Sequence, residues 1–155
     1  MHVIAKISVQ KRNSERYNVF LLENGKEVYR FSVDEKTLID FQLRKGMTLE
    51  ESTIEEIKQK DDQSKAYHMS IRYLSYRMRT KKEMIDYLVK KEIDEETIHP
   101  IIEKLEKEGL LDDGAFAEAF VKTRINTSTK GPQYIKRELL QKGVTTTDAD
   151  AAIAH

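Results

Sequence analysis

The groups in this chain best suited to chemistry are cations gathered at two places. One is the run RMRTKK (77–82); the other is KTRINTSTKG (122–131), continuing into IKR (135–137). The candidate contact residues are Arg77, Arg79, Lys81, Lys82, Arg124, Lys130, Lys136 and Arg137. Guanidinium and ammonium groups in such clusters hold phosphates, or the carboxylates of an acidic partner, through charge-assisted hydrogen bonds. Tyr73, Tyr76 and Tyr134 lie close by in sequence and could stack on bases. The bland alternative is a solvated helix face carrying ordinary pairs such as Lys90 with Asp94. Arg77 and Arg124 could instead cap the last carbonyls of their own helices.

Other chemistries find little support. The chain has no cysteine, which excludes disulfides and cysteine-ligated zinc. His2, His68, His99 and His155 are scattered singly, and no His-Glu helix motif or phosphate-cradling glycine loop occurs. Gly109 and Gly114 have loop spacing but no following Lys-Ser or Lys-Thr. Asp112 and Asp113 could bind a metal, yet no third ligand is evident, and the pair suits helix capping better. No nucleophile has a base beside it. The expectation is a binding protein without catalytic residues, metal or cofactor.

The 155 residues allow one or two small domains, and 39% hydrophobic against 35% charged residues suit a modest core under charge-laced helices. The formal net charge of zero hides a strong alternation. Residues 64–91 hold eight Lys or Arg against two acids, 92–118 two against ten, and 119–155 six against three. A global basic field is absent, so any nucleic-acid site is local. The N-terminus MHVIAKISVQKR is too short and too interrupted for a secretory signal, and no run reaches the length of a membrane span. A cytoplasmic protein is expected.

The elements that must position the basic groups fall into two regions. The first third alternates, with Val3, Ala5, Ile7 and Val9 on one face. Strands are expected at about 2–10, 16–23 and 26–33, the last two joined by the hairpin signal Asn24-Gly25. Asp34 then caps a short helix ending near Gly46. From about Glu50 the period is helical, with Thr48 or Ser52 as a cap. The run KQKDDQSK is either a linker or an exposed part of one long helix. Further helices are expected at 64–77, 81–91, 95–108, 114–126, 132–142 and 148 to the end. Thr80 with Glu83 and Thr147 with Asp150 read as capping boxes, Asp94 and Asp113 as N-caps, Pro132 as a first-turn residue, and Gly109 and Gly143 as C-terminal glycines.

The helical part repeats itself. EMIDYLVKKEI (83–93) aligns with YIKRELLQKGV (134–144) at a spacing of 51 residues, matching Met84 to Ile135, Leu88 to Leu139, Lys91 to Lys142 and Ile93 to Val144. Upstream, Tyr73 matches Phe120 and Arg77 matches Arg124. Each copy reads helix, basic turn, helix, acidic turn, helix. The expected fold is therefore mainly α: tandem three-helix repeats in an elongated, curved array, preceded by a small β-meander with one short helix. The expected divisions are a β-rich domain at 1–49, a charged linker or helix start at 50–63, and repeats at 64–112 and 113–155.

In this order, YLSYRMRTKKEMIDYLVKKEID, LEKEGLLDDGAFAEAFVKTR and KGPQYIKRELLQKGV resemble the RecX family of bacterial recombination regulators. The resemblance covers about residues 66 to 150, and the preceding strands look like the N-terminal extension of members from low-GC Gram-positive bacteria. It implies a non-catalytic, monomeric regulator, usually an inhibitor, that lies along the RecA recombinase filament on single-stranded DNA. ATP hydrolysis and strand exchange in recombination and the SOS response would be modulated. DNA could be contacted directly or through the filament, and the repeated basic turns would face one or the other. The family usually carries three repeats; two are visible here, which would shorten the basic stripe. The alternative is a non-catalytic DNA-binding module acting through the basic turns alone.

Overall fold

The computed structural model describes residues 1–12, 15–127 and 129–154. Ser128 of the second basic stretch and His155, the expected end of the last helix, lie outside them. The chain divides into two compact units, Met1–Lys65 and Ala66–His155.

In the first unit, strands β1 (His2–Val9), β2 (Arg16–Glu23) and β3 (Lys26–Asp34) form an antiparallel meander. The β2–β3 turn has positive φ at both Asn24 and Gly25, the conformation an Asn-Gly pair adopts readily. A two-residue strand, β4 (Thr48–Leu49), pairs with β1 and gives the sheet order β3-β2-β1-β4. Thr48 thus belongs to the sheet and caps no helix. Strict alternation along β1 fails as well. Ile4 is fully buried while Val3 and Val9 are exposed, because a register shift between Ile4 and Lys6 changes the phase. Ile4 and Ile7 then both reach the core built from Val19, Leu21, Phe31, Val33 and Leu49. Helix α1 (Glu35–Asp40) starts where the Thr37 N–H donates to the Asp34 carboxylate at 2.8 Å.

Helix α2 (Glu51–Leu74) runs unbroken for 24 residues, with the charged stretch around 58–65 inside it. Its first turns bury Ile54 and Ile57 under the sheet. Asp61, almost wholly buried, accepts both arms of the Arg16 guanidinium (3.0 and 3.2 Å) and the Asp34 N–H (2.9 Å). A buried carboxylate is tolerable only when paired and hydrogen-bonded in this way.

In the second unit, the end of α2 packs with α3 (Lys81–Lys90) and α4 (Glu95–Lys107) around Ala66, Met84, Leu88, Ile101 and Leu105. A second set, α5 (Asp113–Thr127), α6 (Pro132–Gln141) and α7 (Thr146–Ala154), surrounds Phe116, Val121, Ile135, Leu139 and Ala149. The 51-residue spacing is visible in the hydrogen bonds. The Ile93 N–H donates to the Leu88 carbonyl (3.0 Å), and the Val144 N–H to that of Leu139 (3.1 Å), so α3 and α6 end in the same way. Two caps sit elsewhere than expected. Asp112, not Asp113, accepts from the Ala115 N–H (3.0 Å) and caps α5. Thr145, not Thr147, accepts from the Asp148 N–H (3.2 Å), so α7 begins at Thr146.

Candidate functional site

The two three-helix sets meet at the first basic turn. Thr80 caps α3 by accepting from the Glu83 N–H, and the Glu83 carboxylate accepts in return from the Thr80 N–H, each at 3.0 Å. The Thr80 hydroxyl also donates to the Lys142 carbonyl at the end of α6 (2.6 Å). Lys82 Nζ donates to the neighbouring Gln141 carbonyl (3.3 Å). Two of the orphan carbonyls of α6 are therefore satisfied by the other repeat. The exchange is reciprocal: the Asp113 carboxylate, on the first residue of α5, accepts from the Lys81 N–H at the start of α3 (2.9 Å). Both contacts place the favourable sign of charge at a helix end.

Close approach explains a glycine here. Gly143 has φ +95°, and a Cβ on it would lie 2.5 Å from the Lys82 Cβ. The matching position of the first repeat, Glu92, also has positive φ (63°) but is occupied by an ordinary residue.

Beside this junction lies a groove of about 440 Å³, and both repeated arginines line it. Its cationic rim is Arg77, Arg124 and Lys142; its floor is Phe116, Ala119 and Phe120 on α5, with Met78 and Thr123 completing the wall. Glu83 organises one side. It accepts both arms of Arg77 (2.9 and 3.4 Å), and Lys142 Nζ stands 3.5 Å away. Burial alone would push the Glu83 carboxyl up; Arg77 and the Thr80 N–H outweigh it and hold the group below the usual carboxylate range. Glu138 organises the other side by accepting from Arg124 Nη2 (2.9 Å). The Arg124 guanidinium lies over the Phe120 ring, 4.9 Å from its centroid. Arg124 Nε and Glu138 Oε1 are buried without a hydrogen-bond partner among the described residues.

The eight basic residues expected from sequence are thus in different situations. Arg77 and Arg124 share the groove. Arg79 stacks on Tyr73 (3.6 Å) and donates to its carbonyl. Lys81 and Lys82 serve the junction, and Lys81 Nζ also stands 3.6 Å from Glu106. Lys136 pairs with Asp150 (2.9 Å). Lys130 lies over the Tyr134 ring (5.0 Å). Arg137 is exposed and makes no ion pair shown among the described residues. Of the tyrosines, Tyr73 is enclosed between Tyr87 (3.9 Å, nearly parallel) and Arg79, so neither face is open, whereas Tyr76 is exposed. Sequence reasoning missed Lys142, Met78 and Phe120 as members of the groove. The repeat did carry a partial signal: Lys91 matches Lys142 and Tyr73 matches Phe120, although Lys91 lies over Tyr87 of its own helix (5.8 Å) and Lys142 over Phe120 of α5 (5.9 Å).

No group of three or more His, Cys, Asp or Glu among the described residues could hold a metal ion. Among the described residues, no helix is long and apolar enough to cross a membrane.

Three family descriptions match the chain in order: "Regulatory protein RecX N-terminal domain" at residues 2–50, "RecX, first three-helix domain" at 66–105 and "RecX, second three-helix domain" at 112–153. A regulatory protein RecX of Oceanobacillus iheyensis is 53% identical over 145 residues, which is 93% of this chain and 53% of that protein. One from Halalkalibacterium halodurans is 44% identical over 99% of this chain and 58% of its own length. The chain thus spans about half the length of the curated relatives it matches. A crystal structure of a regulatory protein RecX superposes with a TM-score of 0.80 at 42% identity, covering 99% of this chain and 73% of that one. RecX from Lactobacillus salivarius gives a TM-score of 0.59 at 44% identity over 61% of each chain.

Proposed function

Because the chain belongs to the RecX regulatory-protein family, we propose that it regulates the RecA recombinase, binding the RecA filament on single-stranded DNA and slowing ATP hydrolysis and strand exchange. The observation that carries the reading is the match along nearly the whole chain to regulatory RecX proteins. The meeting of the two repeated arginines, Arg77 and Arg124, at one groove supports it. In this reading the chain acts by binding and not by catalysis. Arg77 and Arg124 face the partner, while the more exposed cations Lys130 and Arg137 face the filament or its DNA. Arg79, Lys81, Lys82 and Lys136 hold the repeats in the shape that presents them.

Sedimentation of the chain with RecA filaments at increasing salt tests this. A protein interface with apolar anchors loses affinity gradually, whereas contact with phosphates alone falls steeply, by about one decade in affinity per decade of salt for each phosphate neutralised. Retention on the filament at salt that removes the chain from naked single-stranded DNA is expected. Equal loss from both would favour a plain DNA-binding module.

A further inference from the structure

We infer that the groove between the repeats is a receptor for an acidic protein segment, with carboxylates on Arg77 and Arg124 and an apolar side chain on the floor between them. The inference rests on the proposed reading that the chain has a protein partner, and it names the chemistry of that partner.

Three features favour a peptide over nucleic acid. The site already binds carboxylates, since Glu83 and Glu138 hold the two guanidiniums. Each arginine side chain is also partly exposed toward the groove, with 47% and 38% of its surface accessible. Planar guanidiniums offer five donors, so each can donate to a second carboxylate. Next, the rim sets three cations against two carboxylates, a small surplus that suits a short acidic segment and not a polyanionic backbone. Last, among the described residues that line the groove, no aromatic face is open for a base. The Phe120 ring is flanked by Phe116, Arg124 and Lys142, and Tyr73 is enclosed on both sides. Stacking platforms need a free π-face. What the floor does present is the exposed small residue Ala119 beside apolar carbon of Phe116 and Met78, in a volume fitting one or two side chains.

The test is fluorescence anisotropy with a fluorescein-labelled peptide of alternating Glu and Leu, using the full chain. Ala119→Trp fills the groove without changing charge, at an exposed position on α5; Ala119→Ser is its conservative counterpart. Expected are saturable binding by the wild type and by Ala119→Ser, and at least a tenfold loss in Ala119→Trp. A peptide with Gln for every Glu should bind at least tenfold more weakly, and oligothymidine should not displace the probe. Equal binding by Ala119→Trp with an unchanged circular dichroism spectrum, equal binding of the Gln peptide, or displacement by oligothymidine would each overturn the assignment. The RecA ATPase measured beside it separates the two readings. A chain that slows RecA but does not bind the peptide removes the groove assignment and leaves the regulatory function standing. A chain that binds as expected but leaves RecA untouched does the reverse.

Discussion

The Thr80 hydroxyl donates to the carbonyl of Lys142, 62 residues along the chain, while capping its own helix. One side chain therefore starts α3 and ends α6, so local helix formation and repeat docking depend on the same atom. Thr80→Ala removes both contacts. A cap typically contributes about 1 kcal/mol, and the unsatisfied carbonyl adds roughly another. We expect about 2 kcal/mol lost in urea unfolding, and most of it regained in Thr80→Ser. A loss under about 0.5 kcal/mol would show that the hydroxyl docks nothing.

Gly143 and Glu92 occupy equivalent positions with positive φ, and opposite tolerances are expected of them. Gly143→Ala meets both a left-handed backbone and the Lys82 Cβ, so it should cost roughly 2 kcal/mol or more. Glu92→Gly relieves a strained non-glycine residue and should be neutral or stabilising by up to about 1 kcal/mol. Thermal unfolding of the two variants checks the contrast, and similar shifts of the same sign would refute it.

Much of this was legible in the sequence, for identifiable reasons. Asn24-Gly25, Asp34, Asp94 and the Thr80–Glu83 pair are local devices whose geometry depends on a few neighbouring residues, and all form as expected. The repeat was legible because Leu88 and Leu139, or Ile93 and Val144, do the same job in each copy. The two-residue strand Thr48–Leu49 is too short to show a period. The phase change after Ile4 follows from the register shift, which alternation cannot reveal. The use of Thr80 and Lys82 on the end of α6 is long-range, and a basic turn looks the same whether it meets a carbonyl or a phosphate. Lys142 and Phe120 became part of the site only when the two repeats came together.

Asp113 gives the repeat junction a pH dependence. Burial, with Asp148 and Glu106 nearby, raises its carboxyl pKa, against the opposing pull of the Lys81 N–H. A group whose folded pKa is raised favours folding below its unfolded pKa, and that contribution is lost as pH rises through the folded value. Asp113→Asn keeps an acceptor for Lys81 and removes the charge. Its melting temperature should exceed that of the wild type at pH 7, and the difference should shrink below about pH 3.5, where aspartate is mostly protonated. A variant less stable than wild type at pH 7 would contradict this assignment.

Asp61 and Arg16 make the corresponding test of the first unit. Their side chains are only 4% and 14% exposed, so deleting one strands the other's charge. Asp61→Ala should cost about 3–5 kcal/mol, read as loss of amide protection in β2 and β3 by hydrogen exchange. Protection unchanged from wild type would mean that the pair contributes nothing to holding α2 on the sheet.

The most direct test of the central claim is the single-stranded-DNA-dependent ATPase rate of the cognate RecA as the chain is titrated in. A dose-dependent fall at substoichiometric chain is expected, at least tenfold weaker in potency for the Arg77→Glu/Arg124→Glu double variant. An unchanged rate with folded wild-type chain, or equal inhibition by the double variant, would contradict it.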